Sequence, residues 1–343
     1  MLLESIGKRL LMCCLITLTP AFMSAGFVDV SHGPHDPRSV VTACNDTTLK
    51  PARELFRTGR LASAVRFLLR LEQPCSDFAP YHGLLGNILR QEGLSVRAAQ
   101  EFYSAIDLEP HQSDYYLQLS EILVQNGAYG EARVILVRAN REFSDQIWTY
   151  LMLADVYRRY GSFNEAHDLL EKAVERWPSS PATHVLLGNI LAGAAKDSEA
   201  LAEYRKALLL APQLPQAYLF YGIELIKLNQ TAKALAALDK CVTLDPKMPS
   251  AHYYLGTIYL KQGSLQQAIR EFKTALRLNP SYALAYFEMG KAYQKLGDKT
   301  KGDAYMRTYG RLSIAEQMLS TRLGKSFSES LTKSRGSGFS GSP

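Results

Sequence analysis

The hydrophobic positions of this 343-residue chain repeat with a period of 34 residues over most of its length. Within each period, apolar or small residues recur at positions 7, 8 and 11, with histidine or tyrosine at position 4 in seven units, and apolar or small residues recur again at positions 20, 24 and 27. Each set follows the i, i+3, i+4 or i+7 spacing that places side chains on one face of a helix. The pattern therefore predicts two amphipathic helices in every 34-residue unit.

Eight such units follow one another without an insertion, numbered so that a recurrent proline occupies position 32. They span 45–78, 79–112, 113–146, 147–180, 181–214, 215–248, 249–282 and 283–316. The proline at position 32 stops the second helix of a unit. Because one helix pair cannot bury its apolar face alone, we expect the eight units to stack on their neighbours.

Position 15 lies between the two predicted helices and is glycine in six units and Asn229 in another. Both residue types adopt the left-handed conformation that ends a helix, which predicts a tight turn there. Unit 181–214 has Ala195 at this position, so its turn is expected to be irregular. Each unit is thus predicted to form a helix–turn–helix hairpin.

These residues resemble the tetratricopeptide repeat (TPR) family, and unit 249–282 matches the family pattern best. Its matching residues are His252, Leu255, Gly256, Tyr259, Ala268, Phe272, Ala275 and Pro280. The resemblance implies an all-α fold, a right-handed α-solenoid of eight TPR hairpins. The first and last units depart from the pattern, as terminal repeats commonly do.

The N-terminus has the features of an export segment. Lys8 and Arg9 precede a short apolar stretch that Pro20 interrupts, and small residues follow up to Gly26. This order is typical of a secretory signal, so we predict a signal peptide over residues 1–25. An uncleaved membrane anchor is the alternative. Residues 26–44 form a predicted linker, and an exported chain would be periplasmic or extracytoplasmic, with inner-membrane attachment if the anchor is retained.

The C-terminus shows a capping box at 313–316, which predicts a short capping helix over residues 314–323, closed by Gly324. Such a polar helix would cover the last hairpin. Residues 324–343 are rich in Ser, Gly, Lys and Arg, and we expect a disordered tail there.

Three cysteines remain after signal removal, and two of them flank the first unit. Cys44 precedes its first helix and Cys75 lies at the end of its second. An antiparallel hairpin brings those ends together, and export permits oxidation, so we predict a Cys44–Cys75 disulfide. Cys241 occupies the small position 27 and is predicted to be a core residue.

Composition and charge narrow the class of protein. The chain is 47% hydrophobic and 21% charged, which excludes a polytopic membrane protein and a fully disordered chain. The net charge of +6 is spread along the sequence, so we expect no nucleic acid partner.

His82, His184 and His252 occupy the same repeat position, which indicates a packing role and no metal site. Without a catalytic motif, we expect neither an enzyme nor a cofactor.

The family resemblance implies that the first helix of each hairpin lines a concave groove, mainly through positions 2, 5, 9, 12 and 13. The candidate groove residues are Asn87, Arg90, Leu117, Leu151, Asp155, Arg158, Asn189, Leu219, Tyr253, Phe287 and Lys291. Position 5 would supply an apolar floor and positions 12 and 13 a partly basic edge. Alternatively, position 5 only supports packing between hairpins. Position 5 carries no lysine, which argues against the carboxylate clamp of chaperone-binding relatives.

The sequence therefore predicts a non-enzymatic scaffold that binds a peptide or helix of a protein partner, in envelope assembly or secretion. One alternative is a subunit that presents substrate to a separate enzyme, as glycosyltransferase-linked TPR arms do. Another is an oligomerisation module. Membrane contact is expected only through the N-terminal segment.

Overall fold

The computed structural model describes residues 44–336, except for the side chains of 316–324 and 333–336. The predicted export segment and most of the linker lie outside the described residues. The described part is all-helical, without strands, and its seventeen helices are numbered in chain order. They are α1 (Asp46–Arg57), α2 (Leu61–Leu69), α3 (Glu72–Cys75), α4 (Ala79–Gln91), α5 (Ser95–Leu108), α6 (Ser113–Gln125), α7 (Tyr129–Glu142), α8 (Ile147–Tyr160), α9 (Phe163–Arg176), α10 (Pro181–Gly193), α11 (Asp197–Leu210), α12 (Pro215–Lys227), α13 (Thr231–Leu244), α14 (Pro249–Lys261), α15 (Leu265–Leu278), α16 (Ala283–Lys295) and α17 (Lys299–Gly336).

Each hairpin turns through one residue in the left-handed conformation at position 15. The glycines at this position have positive φ, for example 78° at Gly263, and Asn229 has a φ of 57°. Ala195 adopts the same conformation, with a φ of 59°. The irregular turn expected in unit 181–214 is therefore wrong, because the stacking of the two helices holds alanine in a conformation that it disfavours.

The two helices of a hairpin approach closely where position 8 is glycine. A Cβ atom on Gly256 would lie 2.6 Å from Cε1 of Phe272, and one on Gly188 would lie 2.5 Å from Cε1 of Tyr204. Both aromatic rings come from position 24 and are buried. The small residue on the first helix and the large residue on the second are therefore complementary parts of one contact.

The second helix of the first hairpin is divided into α2 and α3. The helix breaks at Arg70 and Leu71, and Pro74 lies in the short α3 that follows. A proline inside a helix removes an N–H donor and clashes with the carbonyl four residues earlier, here that of Arg70. Cys75 ends α3 and forms a disulfide with Cys44, the pair that the sequence indicates.

The last helix corrects the prediction for the C-terminus. α17 is continuous from Lys299 to Gly336, so residues 314–323 are part of a longer helix and not a separate capping helix. The expected disorder is also wrong for residues 324–336, which are helical and bury Phe327 and Leu331. The capping box signals a helix start, but no proline interrupts the helix before it, and the backbone stays helical through Gly310 and Gly324.

The chain divides into two compact bodies. Among the described residues, the first body contains 44–142 together with 324–336, and the second contains 143–323. In both, successive helices pack as hairpins, and the first helix of a hairpin also contacts the first helix of the next. Among residues 44–336, none of the helices has both the length and the apolar character needed to cross a bilayer.

Candidate binding surface

The first helices of the hairpins, called A helices below, form a layer in the second body. α8 contacts α10, α10 contacts α12, α12 contacts α14, and α14 contacts α16. Because the chain reverses once within each hairpin and again before the next, these five helices run in the same direction. The side of this layer that carries positions 5, 6, 9, 12 and 13 of each unit is called the A face.

Position 5 does not form the apolar floor that the sequence predicts. Leu151 is 2% exposed, Leu219 1% and Tyr253 8%, and each belongs to a buried cluster shared with an adjacent hairpin. The next A helix covers these side chains, so they support packing between hairpins, the alternative interpretation of position 5. Leu117 and Phe287 remain half-buried.

The accessible apolar surface comes instead from other positions of α12 and α14. Phe220 and Tyr254 at position 6, with Ile223 and Ile226 at positions 9 and 12, are all half-buried. We call these four residues the apolar strip. Sequence reasoning missed position 6, although a signal was available: Phe220 lies three residues before Ile223, on the same helical face.

Asn189 is held in one orientation on the neighbouring helix α10. The hydroxyl of Tyr204 donates a hydrogen bond of 2.8 Å to Oδ1 of Asn189. Burial raises the pKa of Tyr204 far above its ordinary value, so the hydroxyl remains a donor. With Oδ1 occupied, the amide nitrogen of Asn189 is oriented as a donor, and none of the described residues accepts from it. Asn87, in the first body, instead donates to the carbonyl of Gly83 in its own helix.

Asp155 is covered by two arginines from the same helix. Arg158 and Arg159 each lie 2.7 Å from a different carboxylate oxygen of Asp155. Burial raises the pKa of Asp155, but the two guanidinium groups outweigh this effect and lower the pKa below its ordinary value. Asp155 is therefore a carboxylate that fixes two arginine side chains on the A face.

Two further predicted groove residues also form ion pairs. Lys291 lies 2.8 Å from Glu288 and sits over the ring of Phe287. Arg90, in the first body, reaches Glu121 of the next A helix at 2.8 Å. Asn87, Arg90 and Leu117 belong to the first body, whereas the other eight predicted groove residues belong to the second. The candidate site is the A face of the second body.

The three histidines of position 4 make a repeated contact that sequence reasoning did not find. In each, Nδ1 lies 2.7 Å from a glutamate at position 23 of the same hairpin, and Nε2 faces the position-32 carbonyl of the preceding hairpin. The histidine, glutamate and carbonyl sets are His82 with Glu101 and Ser76, His184 with Glu203 and Pro178, and His252 with Glu271 and Pro246. Tyr286 occupies the same position and donates its hydroxyl to the Pro280 carbonyl.

A possible group of metal ligands lies elsewhere, on α9. Potential ligand atoms of His167, Asp168 and Glu171 lie within 4.8 Å of one another, but both carboxylates are exposed. Exposed acidic groups beside a histidine are common on solvated helices, so this group defines no site.

Comparison with known proteins agrees with the repeat architecture. The family model described as TPR repeat matches residues 222–263 and 256–297, and the one described as tetratricopeptide repeat matches 147–190. The chain therefore contains TPR repeats, and its all-α hairpin stack is a TPR solenoid. No curated protein matches it.

Solved structures with similar folds are distant in sequence. The match to the structure of the APC/C hetero-tetramer Cut9–Hcn1 covers 74% of this chain and 50% of the matched chain, at 17% identity and a TM-score of 0.57. MamA from Desulfovibrio magneticus RS-1 covers 49% of this chain and 96% of its own, at 23% identity and a TM-score of 0.43. YrrB, described as a TPR protein with an unusual peptide-binding site, covers 55% of this chain and 97% of its own, at 22% identity and a TM-score of 0.40.

Proposed function

We propose that this chain is a non-catalytic protein-interaction scaffold, and that the A face of its second body binds a segment of a partner protein. The observation that carries the proposal is the apolar strip. Phe220, Ile223, Ile226 and Tyr254 remain partly exposed while they pack against the core, although the position-5 side chains beside them are buried. Apolar anchors that a partner can cover contribute most of the affinity in peptide recognition.

Polar groups on two other helices of the A face, α10 and α8, support the same proposal. Asn189 offers an oriented amide donor, and the Arg158 and Arg159 side chains are fixed by Asp155. Groups that are already ordered lose little conformational entropy when a ligand binds, so they add specificity at low cost. The three carboxylates of this face are held in ion pairs with cations of their own helices, which suits recognition and gives no paired acid and base poised for catalysis.

Selection from a peptide library tests the proposal before any partner is identified. The full chain would be screened against a displayed library of random peptides, and selected peptides would be measured by fluorescence anisotropy. We expect the double variant Ile223→Glu with Tyr254→Ser to weaken binding at least about tenfold, because it removes two anchors. Circular dichroism would check that helicity is retained.

The matched control changes two exposed leucines on α11, a second helix of its hairpin. Leu209→Glu with Leu210→Ser introduces the same residue types away from the A face. This control should bind selected peptides with unchanged affinity. Equal losses in both variants, or no loss in the A-face variant, would show that the strip is not the binding surface.

We also propose that this scaffold works outside the cytoplasm, in envelope assembly or secretion. Two features support export: the signal-like pattern of residues 1–25 and the Cys44–Cys75 disulfide. Disulfides persist in oxidising compartments and are rare in the cytosol. The second feature is independent of the first, because it depends on the fold of the first hairpin and not on the N-terminal pattern.

A further inference from the structure

We infer that the A face of the second body selects a partner segment in which acidic side chains accompany apolar ones. The inference rests on the proposed function and adds the charge of the ligand. It comes from how positive and negative side chains are distributed between the surface and the interior of this one layer of helices.

Positive charge is in excess on the five A helices of the second body. They contain six Lys or Arg residues and three Asp or Glu residues. The cations are Arg158, Arg159, Lys227, Lys261, Lys291 and Lys295. The acids are Asp155, Glu224 and Glu288.

All three acids are withdrawn from solvent beneath cations of the same helix. The side chains of Asp155 and Glu288 are 12% and 13% exposed, and that of Glu224 is 1% exposed. Burial raises the pKa of Glu224, and the nearby Asp197 raises it further, against the opposing effect of Lys227. A partner would therefore meet little negative charge on this face.

The lysines, in contrast, reach solvent. Lys227 and Lys291 are 46% and 41% exposed despite their ion pairs. Lys261 and Lys295 are also exposed, and neither has an ion pair with any described residue. Lys227, Lys261 and Lys295 lie in the last turns of α12, α14 and α16, which run in the same direction. Their ammonium groups therefore follow one edge of the A face.

Cations in a last turn also interact favourably with the helix dipole, which accounts for some of this placement. The dipole does not require the acids of the same helices to be covered, and on the second helices acids remain exposed. Glu171 and Glu199, for example, are more than half exposed. Glu203 on α11 is an exception, with its side chain 11% exposed beside Lys206. On the A face, all three acids of the A helices are covered, and there the apolar strip borders the cationic edge. A segment with apolar and acidic side chains complements both.

Designed peptides test this charge preference directly on the full chain. The probes are fluorescein-labelled 16-residue peptides with four repeats of Glu-Leu-Phe-Glu, Lys-Leu-Phe-Lys or Glu-Ser-Ser-Glu. We expect the first to bind at least about tenfold more tightly than the other two, because only it matches both the strip and the edge. Its affinity should fall as salt increases, since exposed charges are screened.

Charge reversal then locates the interaction. Lys261→Glu with Lys295→Glu should weaken binding of the Glu-Leu-Phe-Glu peptide about tenfold and reduce its salt dependence. The control, Lys240→Glu with Lys273→Glu, makes the same charge change at exposed lysines of second helices and should leave affinity within about twofold. Neither pair removes an ion pair among the described residues.

Equal binding of the acidic and basic peptides would overturn the inference, as would equal losses in the two charge-reversal variants. An oligothymidine of 16 nucleotides serves as a second competitor. If it displaced the labelled acidic peptide as effectively as the unlabelled acidic peptide does, the inference would also be overturned, in favour of unselective anion binding. The proposed function has a separate outcome: peptides from the random library that depend on Ile223 but carry no acidic residues would support the scaffold and contradict the charge preference.

Discussion

Single residues set the geometry of each hairpin, and Ala195 shows the rule most clearly. The other turns use glycine or asparagine for the left-handed conformation, whereas Ala195 adopts it with a Cβ atom. That conformation costs an L-residue about 1–2 kcal/mol. The sequence identified the position correctly but not the conformation, because the packing of α10 and α11 imposes the turn on whatever residue occupies it.

We predict that Ala195→Gly stabilises the protein by about 1 kcal/mol, since glycine removes the strain at a small entropic cost. Urea unfolding followed by circular dichroism would measure the change. Ala194→Gly is the control: its φ is −85°, so glycine there relieves no strain and should destabilise the protein slightly. A loss of stability in Ala195→Gly would contradict the prediction.

At the scale of helices, the pairing of positions 4 and 23 connects one hairpin to the next. Each of the three units with histidine at position 4 has glutamate at position 23. The units with tyrosine at position 4 have Ile135, Leu169, Ala237 or Tyr305 at position 23. The correlation was visible in the sequence, but its meaning depends on the contact between antiparallel helices and on the carbonyl beyond them.

Protonation strengthens this contact, because a ring whose two nitrogens both face acceptors makes both hydrogen bonds only when both carry a proton. The hydrogen bond from His252 to Glu271 raises the pKa of His252 above its ordinary value of 6.5, against the effect of burial. Burial lowers the pKa of His82, but the Glu101 and Ser76 hydrogen bonds outweigh it, and the net shift is also upward.

The direction of the pH dependence follows from these raised pKa values. Each of these two histidine contacts stabilises the fold in full below 6.5, the pKa of histidine in the unfolded chain. This stabilisation is lost as pH rises through the raised pKa of the folded state. We predict that Glu271→Gln lowers the free energy of unfolding by about 1–2 kcal/mol at pH about 5.5 and by much less at pH about 8.5. Urea unfolding at both pH values measures this.

Glu175→Gln is the control for that experiment, because Glu175 is exposed on α9 and has no ion pair among the described residues. It should leave stability unchanged at both pH values. If Glu271→Gln lowered the free energy of unfolding by the same amount at low and high pH, the contact would be a neutral hydrogen bond and not a charged one.

At the scale of the whole molecule, nearest-neighbour stacking replaces a single core. Each buried cluster of the second body takes residues from adjacent hairpins, so the chain contains many small interfaces. The first hairpin has a neighbour on one side only among the repeats, and its second helix is interrupted at Arg70 and Leu71. The Cys44–Cys75 disulfide stabilises this exposed end by joining the start of α1 to the end of α3.

Export gives a prediction at the same scale. In the native host, we expect the chain outside the cytoplasm, with Cys44 and Cys75 oxidised and Cys241 as the single free thiol of the mature form. Cell fractionation, acid trapping and mass-tag labelling of thiols in the unfolded protein would measure this. Five labelled thiols in a chain that retains residues 1–25 would contradict export, because Cys13 and Cys14 lie in that segment and Cys44 and Cys75 would then be reduced. A Cys44→Ser variant of the mature form, with two reactive thiols, calibrates the labelling.

The sequence by itself determined the period, the hairpins and the positions of their turns, because these depend on local helix signals that recur every 34 residues. It also identified the cysteine pair, because the predicted first hairpin brings the ends of its two helices together. Only the tertiary structure decided which side chains of an A helix remain accessible. Leu151, Leu219 and Tyr253 become buried because the next hairpin covers them, whereas Phe220 and Tyr254, at the position that follows, stay partly exposed. Helical periodicity gives the face on which a residue lies, but burial depends on the neighbour that packs there.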